Sequence, residues 1–192
     1  MTWYVVDGMD GCGKSTIAGI LKEELESKGR KVLLVEHPNR DTVIGRMERR
    51  FLEGDSKLHE IMSTLFYIMD VVHSLISIRG RRCAVYDDIV FVRYSMAVAY
   101  LSENRCRQAY DIVCRILPIP DVMILVDIDP KEAMSRILSR GEELEMFETE
   151  EKLTSVRRRM LSISDDWKII DNNEDVTFVR EHVRNIIGGV RS

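Results

Sequence analysis

The sequence lacks a surplus of either charge: 28 lysines and arginines against 32 aspartates and glutamates leave a formal net charge of −4 over 192 residues. A protein that coats a nucleic-acid duplex needs a broad basic face, so that class is set aside, although a few placed arginines suffice to grip one small anion. Cysteine is scarce. Cys12, Cys83, Cys106 and Cys114 form no C-x-x-C pair and have no histidine cluster nearby. This argues against a zinc site or a disulfide framework and for reduced thiols in a cytoplasmic protein. Long apolar runs are also missing. The most apolar stretch, Ile61–Ile78, is interrupted by Asp70 and His73 and followed by Arg79, Arg81 and Arg82. A membrane-spanning helix needs about 20 apolar residues in succession, so a buried or subunit-interface helix is expected there. Met1–Val6 has no basic leader and runs straight into a motif, so it is expected to belong to the fold. There is no repeat, low-complexity tract or linker. A composition 45% apolar over this length fits one domain, residues 1–192, with a substantial core.

Short β-rich runs alternate with amphipathic stretches. Strands are expected at Trp3–Asp7, Lys31–Glu36, Cys83–Asp87, Val122–Ile128 and Trp167–Asp171. Helices are expected at Lys14–Lys28, Thr42–Leu52, Ser56–Arg79, Glu150–Ser162, Val176–Ile187 and after Pro130. Residues Val92–Leu117 read as mostly helical, with a break near Ser102–Asn104. The pattern predicts an α/β fold: a five-stranded parallel sheet with helices on both faces. Ligands of such sheets bind beyond the carboxyl ends of the strands. On this reading those ends carry Asp7-Gly8, His37-Pro38, Asp87-Asp88, Asp129-Pro130 and Asp171-Asn172.

The first of these ends opens Gly8-Met9-Asp10-Gly11-Cys12-Gly13-Lys14-Ser15, a full match to G-x-x-x-x-G-K-[ST], followed by Thr16. The glycines let the backbone curl so that successive N–H groups point at phosphate oxygens, and the next helix adds its positive end. Lys14 reaches the β- and γ-phosphates and the Ser15 hydroxyl ligates Mg²⁺. A strand before and a helix after are the context this loop requires, so ATP and Mg²⁺ are the expected cofactors. Cys12 reads as a small filler residue, not a nucleophile.

Three further segments are His37-Pro38-Asn39-Arg40-Asp41-Thr42, Leu65-Phe66-Tyr67-Ile68-Met69-Asp70 and Arg93-Tyr94 running on to Tyr100. In this order after the phosphate loop, they resemble the thymidylate kinase family of nucleoside monophosphate kinases. The resemblance covers most of the chain and extends to Ile169-Ile170-Asp171 and the last helix. It implies that Arg40 grips the acceptor phosphate, for which a planar guanidinium suits. It also implies that Asp10 lies near the acceptor's sugar hydroxyl, Phe66 stacks on the base, and Tyr100 presses on the sugar. Asn172 would lie against adenine. The alternatives are a solvated turn for Arg40, ordinary core for Phe66 and Tyr100, and a turn former for Asn172.

Two departures stand out. The family has Asp-Arg-Tyr directly at the end of the third strand. Here the predicted strand ends Tyr86-Asp87-Asp88 and the Arg93-Tyr94 pair follows five residues later, so Arg93 either replaces the usual arginine from a shifted position or a phosphate ligand is lost. Asp87 or Asp88 then becomes a candidate to hold a Mg²⁺-bound water or orient Arg93. Asp70 falls where the family has an arginine that donates to thymine O4. A carboxylate accepts instead, so it suits an exocyclic amine such as cytosine N4, or it pairs with Arg93 or Arg40.

A lid is expected over roughly 136–151. Arg136 and Arg140, spaced i and i+4, can aim at one anion and are candidates, with Lys14 and Arg93, to stabilise the moving phosphoryl; the alternative is a solvated helix face. The run Arg157-Arg158-Arg159 reads as a solvated face. The expected activity is transfer of the ATP γ-phosphoryl to the 5′-phosphate of a deoxynucleotide, dTMP first, in a cytoplasmic homodimer. The alternatives are a kinase of a nucleoside or other small hydroxyl compound, with Asp87 or Asp88 as base, and a nucleotide-dependent switch protein without transfer chemistry.

Overall fold

The computed structural model describes residues 1–37, 68–78, 85–139 and 148–190. Five strands form its sheet: β1 (Thr2–Asp7), β2 (Val32–Glu36), β3 (Asp88–Val92), β4 (Val122–Asp127) and β5 (Lys168–Asp171), in the order β2-β3-β1-β4-β5 and parallel at every pairing. The central strands are largely apolar because both faces are covered: all five residues of β3 are buried, Asp88 among them. The helices are α1 (Lys14–Glu26), a helical stretch over 68–78 (α2), α3 (Glu103–Ile116), α4 (Pro130–Leu138), α5 (Glu150–Ser162) and α6 (Val176–Gly188). The sheet side chains Val5, Val6, Ile89, Phe91, Ile124 and Ile170 and the helix residues Ile17, Leu21, Val156 and Val183 share one core.

Helix starts are written into the sequence. Asp129 accepts from the Lys131 amide with Pro130 in the first turn, Thr149 accepts from Lys152, and Asp175 accepts from Thr177 and Phe178. These are ordinary caps that satisfy exposed amide donors. The start of α1 differs: Gly13 stands there in the left-handed region at φ 92, with no side-chain cap. At the ligand edge, the amide donors of that turn are therefore left to the loop and whatever it binds.

The third strand differs from expectation. It runs Asp88–Val92, five residues later than Cys83–Asp87, because its register sets Asp88 opposite Val32 and Thr2 at the start of both neighbours. Two acids opening a strand need partners: Arg30 forks onto Asp88, at 2.6 Å through Nη2, and the Lys31 amide donates to Asp87 at 2.8 Å. The stretch read as mostly helical begins with the end of this strand. A short 3-10 turn, Met96–Tyr100, separates it from α3. The expected helix Thr42–Leu52 lies outside the described residues, as do residues 56–67 and Arg79 of the expected helix Ser56–Arg79.

Candidate active site

The carboxyl ends of the strands bring Asp7, His37, Arg93, Asp127 and Asp171 to one edge. The loop after β1 crosses that edge and packs against α4. A Cβ on Gly11 would lie 2.5 Å from the Ala133 carbonyl oxygen, and Gly11 has φ +75; a Cβ on Gly13 would lie 2.5 Å from Asn172 Nδ2. Close approach to helix backbone requires glycine at Gly11, and the left-handed backbone requires it at both points. The loop is latched from outside by Asn172, whose Nδ2 donates to the Cys12 carbonyl at 2.7 Å. Lys14 is buried within the curl and donates to the Gly8 and Met9 carbonyls at 2.8 and 2.7 Å. Its ammonium therefore stands where the curled amides would hold phosphate oxygens. Ser15 and Thr16 are exposed on the first turn of α1. Cys12 is fully buried, and burial pushes its thiol up despite Lys14 nearby, as suits a filler residue.

Arg93 is the second centre of the site. It follows β3 directly, so the Arg-Tyr pair stands at the strand's carboxyl end. The apparent displacement of this pair came from the misplaced strand; what remains is Val92 where the resemblance sets an aspartate. Arg93 is the one non-glycine residue with positive φ among the described residues, at 63°. Its Nη2 donates to Asp10 at 2.8 Å and its Nη1 to the His37 carbonyl at 3.2 Å. Asp10 also accepts from the Tyr100 hydroxyl at 2.6 Å and lies 3.6 Å from Lys14 Nζ. Burial opposes ionisation of Asp10, but Lys14, Arg93 and Tyr100 outweigh it and hold the carboxyl well below the usual carboxylate range. Burial and the Asp10 charge push the Tyr100 phenol well up, so it stays a donor. One carboxylate thus ties the phosphate loop, the β3 arginine and the tyrosine of the 3-10 turn together.

Residues to which the sequence assigns no specific partner hold this frame. Asp7 is buried and accepts from the Gly8, Tyr94 and Met96 amides at 3.0, 2.9 and 3.1 Å. It joins the start of the phosphate loop to the turn after Arg93. Its one sequence signal is its place just before Gly8. Arg157 is not a solvated residue: it forks onto Asp127 at the end of β4, both bonds 2.7 Å. Arg159 donates to the Ala99 carbonyl at 2.6 Å. Arg158, which pairs with Glu103, is the exposed member of the run.

Asp87 lies at the amino end of β3, on the edge opposite the loop, and this removes it as a metal or base candidate; Asp88, paired to Arg30, leaves with it. Arg136 donates to Glu132 at 3.1 Å and to the Asn172 carbonyl at 3.2 Å, and its Nη1 would lie 3.6 Å from a Cβ on Gly13. It therefore leans on the Asn172 side of the loop. Asp70 is fully buried on α2, close enough to His37 to favour that ring's protonated form. Arg40, Phe66 and Arg140, and the lid stretch 140–147, lie outside the described residues. No cluster of three acidic, histidine or cysteine side chains suited to a metal occurs among the described residues. Magnesium at nucleotide sites is held largely by phosphates and water with one or two protein ligands, so the exposed Ser15 hydroxyl beside the loop fits it.

Comparison with known proteins bears on this geometry. The family model described as Thymidylate kinase matches residues 6–183. A protein named probable thymidylate kinase from Archaeoglobus fulgidus is 30% identical over 185 residues, covering 95% of this chain and 92% of that one. The protein named thymidylate kinase from Ruegeria pomeroyi is 29% identical over 195 residues, covering 94% and 92%. The solved structure of thymidylate kinase from Candida albicans superposes with a TM-score of 0.78 over 97% of this chain and 91% of that one. At 21% identity this shows a shared fold. A match of this extent, over a chain whose first loop and third strand already meet around a phosphate cradle, shows that it belongs to the thymidylate kinase family of ATP-dependent phosphotransferases.

Proposed function

We propose that the chain transfers the γ-phosphoryl of ATP to the 5′-phosphate of dTMP, giving dTDP and ADP. The observation that carries this reading is the Asp10 bridge, which sets Arg93 beside Lys14 at the mouth of the phosphate loop. Phosphoryl transfer asks the protein for alignment and for cancellation of spreading charge. Lys14 and the loop amides grip the donor. Arg93, with Arg40 from the segment after β2, grips the acceptor phosphate, and Asp10 accepts from the sugar hydroxyl against the Tyr100 ring; Phe66 takes the base. The acceptor phosphate is already ionised at neutral pH, so no general base is needed. Ser15 would hold Mg²⁺, which supplies charge neutralisation across the β- and γ-phosphates.

Asn172 and Arg136 serve the donor side, beside Gly13. Arg140 and the rest of the lid over roughly 136–151 close on it. The nucleoside-kinase reading loses its base with the placement of Asp87 and Asp88 on the far edge. Burial of Asp70 beside His37 favours a role inside the protein over contact with cytosine. We further propose a homodimer through the α2 region, where Met69 and Ile76 are exposed, acting in the cytoplasm; no described helix is long and apolar enough to cross a membrane.

An acceptor screen tests the reading. ADP formation is followed with dTMP, dCMP, dUMP, dGMP, thymidine and no acceptor. Turnover that requires a monophosphate and is fastest with dTMP supports it. Equal ADP release without acceptor refutes it, and preference for thymidine over dTMP restores the nucleoside kinase.

A further inference from the structure

His37 ends β2 and is buried at 1% exposure, its ring parallel to that of Phe91 at 6.0 Å and 9°. Its amide donates to the Val92 carbonyl at 3.0 Å. Its Nδ1 lies 2.9 Å from the Arg93 carbonyl oxygen and its Nε2 lies 3.0 Å from Ser74 Oγ on α2. A carbonyl only accepts, so Nδ1 carries the proton. Burial pushes the imidazole pKa down, against the pull of the Arg93 carbonyl and Asp70. In the neutral ring, Nε2 accepts from the Ser74 hydroxyl.

Arg93 needs such support. A non-glycine residue in the left-handed region is strained and persists where its surroundings impose it. Its carbonyl is fixed by His37, and the following Tyr94 and Met96 amides by Asp7. Its guanidinium is fixed by Asp10 and by the His37 carbonyl. Histidine 37 thus touches both the backbone and the fork of Arg93.

We propose that His37 is a positioning residue for the acceptor-phosphate site: its Nδ1–H holds the strained turn from which Arg93 reaches the anion, and its Nε2 couples that turn to α2 through Ser74. The proposal rests on the role given to Arg93 under the proposed function. It needs no contact between His37 and substrate.

Two substitutions in the full chain separate this role from simple packing. His37→Asn keeps an amide donor at the place of Nδ1 and gives up Ser74. His37→Gln keeps reach toward Ser74 and gives up the donor to Arg93. The readouts are the KM values of dTMP and ATP, kcat, dTMP binding by calorimetry without ATP, and the thermal midpoint by circular dichroism. H37Q is expected to raise the dTMP KM and Kd about tenfold, the loss of roughly one well-placed hydrogen bond. Its ATP KM should stay within about twofold, and H37N should hold the dTMP KM within about threefold.

An H37Q enzyme with the wild-type dTMP KM overturns the proposal. So does a loss in both variants that simply follows their thermal midpoints. If H37Q does not fold, ¹⁵N-histidine NMR of the wild-type chain decides, with the His37 signal assigned by its absence in H37N. A neutral ring protonated at Nδ1 that shifts on dTMP but not on ADP supports the proposal, and any other tautomer or an unmoved signal overturns it. A wild-type chain that neither binds nor phosphorylates dTMP refutes the proposed function, and the inference with it. An active wild type with an unchanged H37Q refutes the positioning role alone.

Discussion

Alanine at Gly11 puts the fit between the phosphate loop and α4 to a direct test. The added Cβ would sit 2.5 Å from the Ala133 carbonyl oxygen and 3.0 Å from both its carbon and Ile137 Cγ1, at φ +75. The obstacle is helix backbone, so relief requires α4 to move away from the loop. A left-handed alanine costs about 1–2 kcal/mol and overpacking typically about 1–3 kcal/mol. The two together predict a loss of about 2–5 kcal/mol. If the loop yields instead of α4, its amides turn from the phosphates and ATP affinity falls at least about tenfold. Gly19 is the control. It lies inside α1 and a Cβ there meets nothing within 4 Å, so Gly19→Ala should gain about 0.5–1 kcal/mol. Urea midpoints and ATP binding are measured for both variants. A G11A chain as stable as wild type, with unaltered ATP affinity, would refute the close approach on which the loop geometry rests.

Asp10→Asn leaves the Arg93 fork and the Tyr100 hydroxyl without their shared carboxylate; kcat/KM for dTMP should fall about 10–100-fold, and an unchanged value would remove Asp10 from the acceptor site. Arg136→Ala should raise the KM for ATP about tenfold while kcat changes less; a collapse of kcat at constant ATP KM would instead make Arg136 a residue acting on the moving phosphoryl. Glu24 joins α1 to α6 through Arg180 and Arg184, at 2.9 Å each, and the hydrogen bonds from Arg184 and Arg180 lower its pKa from the usual 4.5 to about 2. A depressed folded-state pKa means these pairs contribute fully above pH 4.5 and are lost as pH falls toward 2. The stability gap between wild type and Glu24→Gln should therefore be constant from pH 5 to 8 and close on acidification; a gap independent of pH would contradict the ion-pair account.

The phosphate loop was legible because glycines, lysine and serine at fixed spacing answer one physical need, and the expected strand and helix flank it. The third strand was not. Cys83–Tyr86 and Ile89–Val92 are adjoining apolar runs, and periodicity does not choose between them. The choice is made by pairing with Val32 and Thr2 and by Arg30 and Lys31 meeting the two aspartates, contacts between residues far apart in sequence. That shift moved Asp87 out of the site and Arg93 into it. The same distance hid the partners of Asp7 and His37, strand-end residues whose importance lies in backbone groups of a turn 56 to 89 residues away. It also hid the partnership of Arg157 with Asp127, which a run of three arginines on a helix does not announce. Lys14, Arg93 and Tyr100 were legible as types at positions; that they share the Asp10 carboxylate was not.

Label transfer follows the phosphoryl group itself between two nucleotides bound at the Lys14–Asp10–Arg93 cluster. The chain is incubated with ATP radiolabelled at the γ-phosphate and with dTMP, and the products are separated. Label is expected in dTDP in amounts equal to the ADP formed, abolished by Lys14→Met. Label released as free phosphate, or transfer that survives without Lys14, would refute transfer at this cluster.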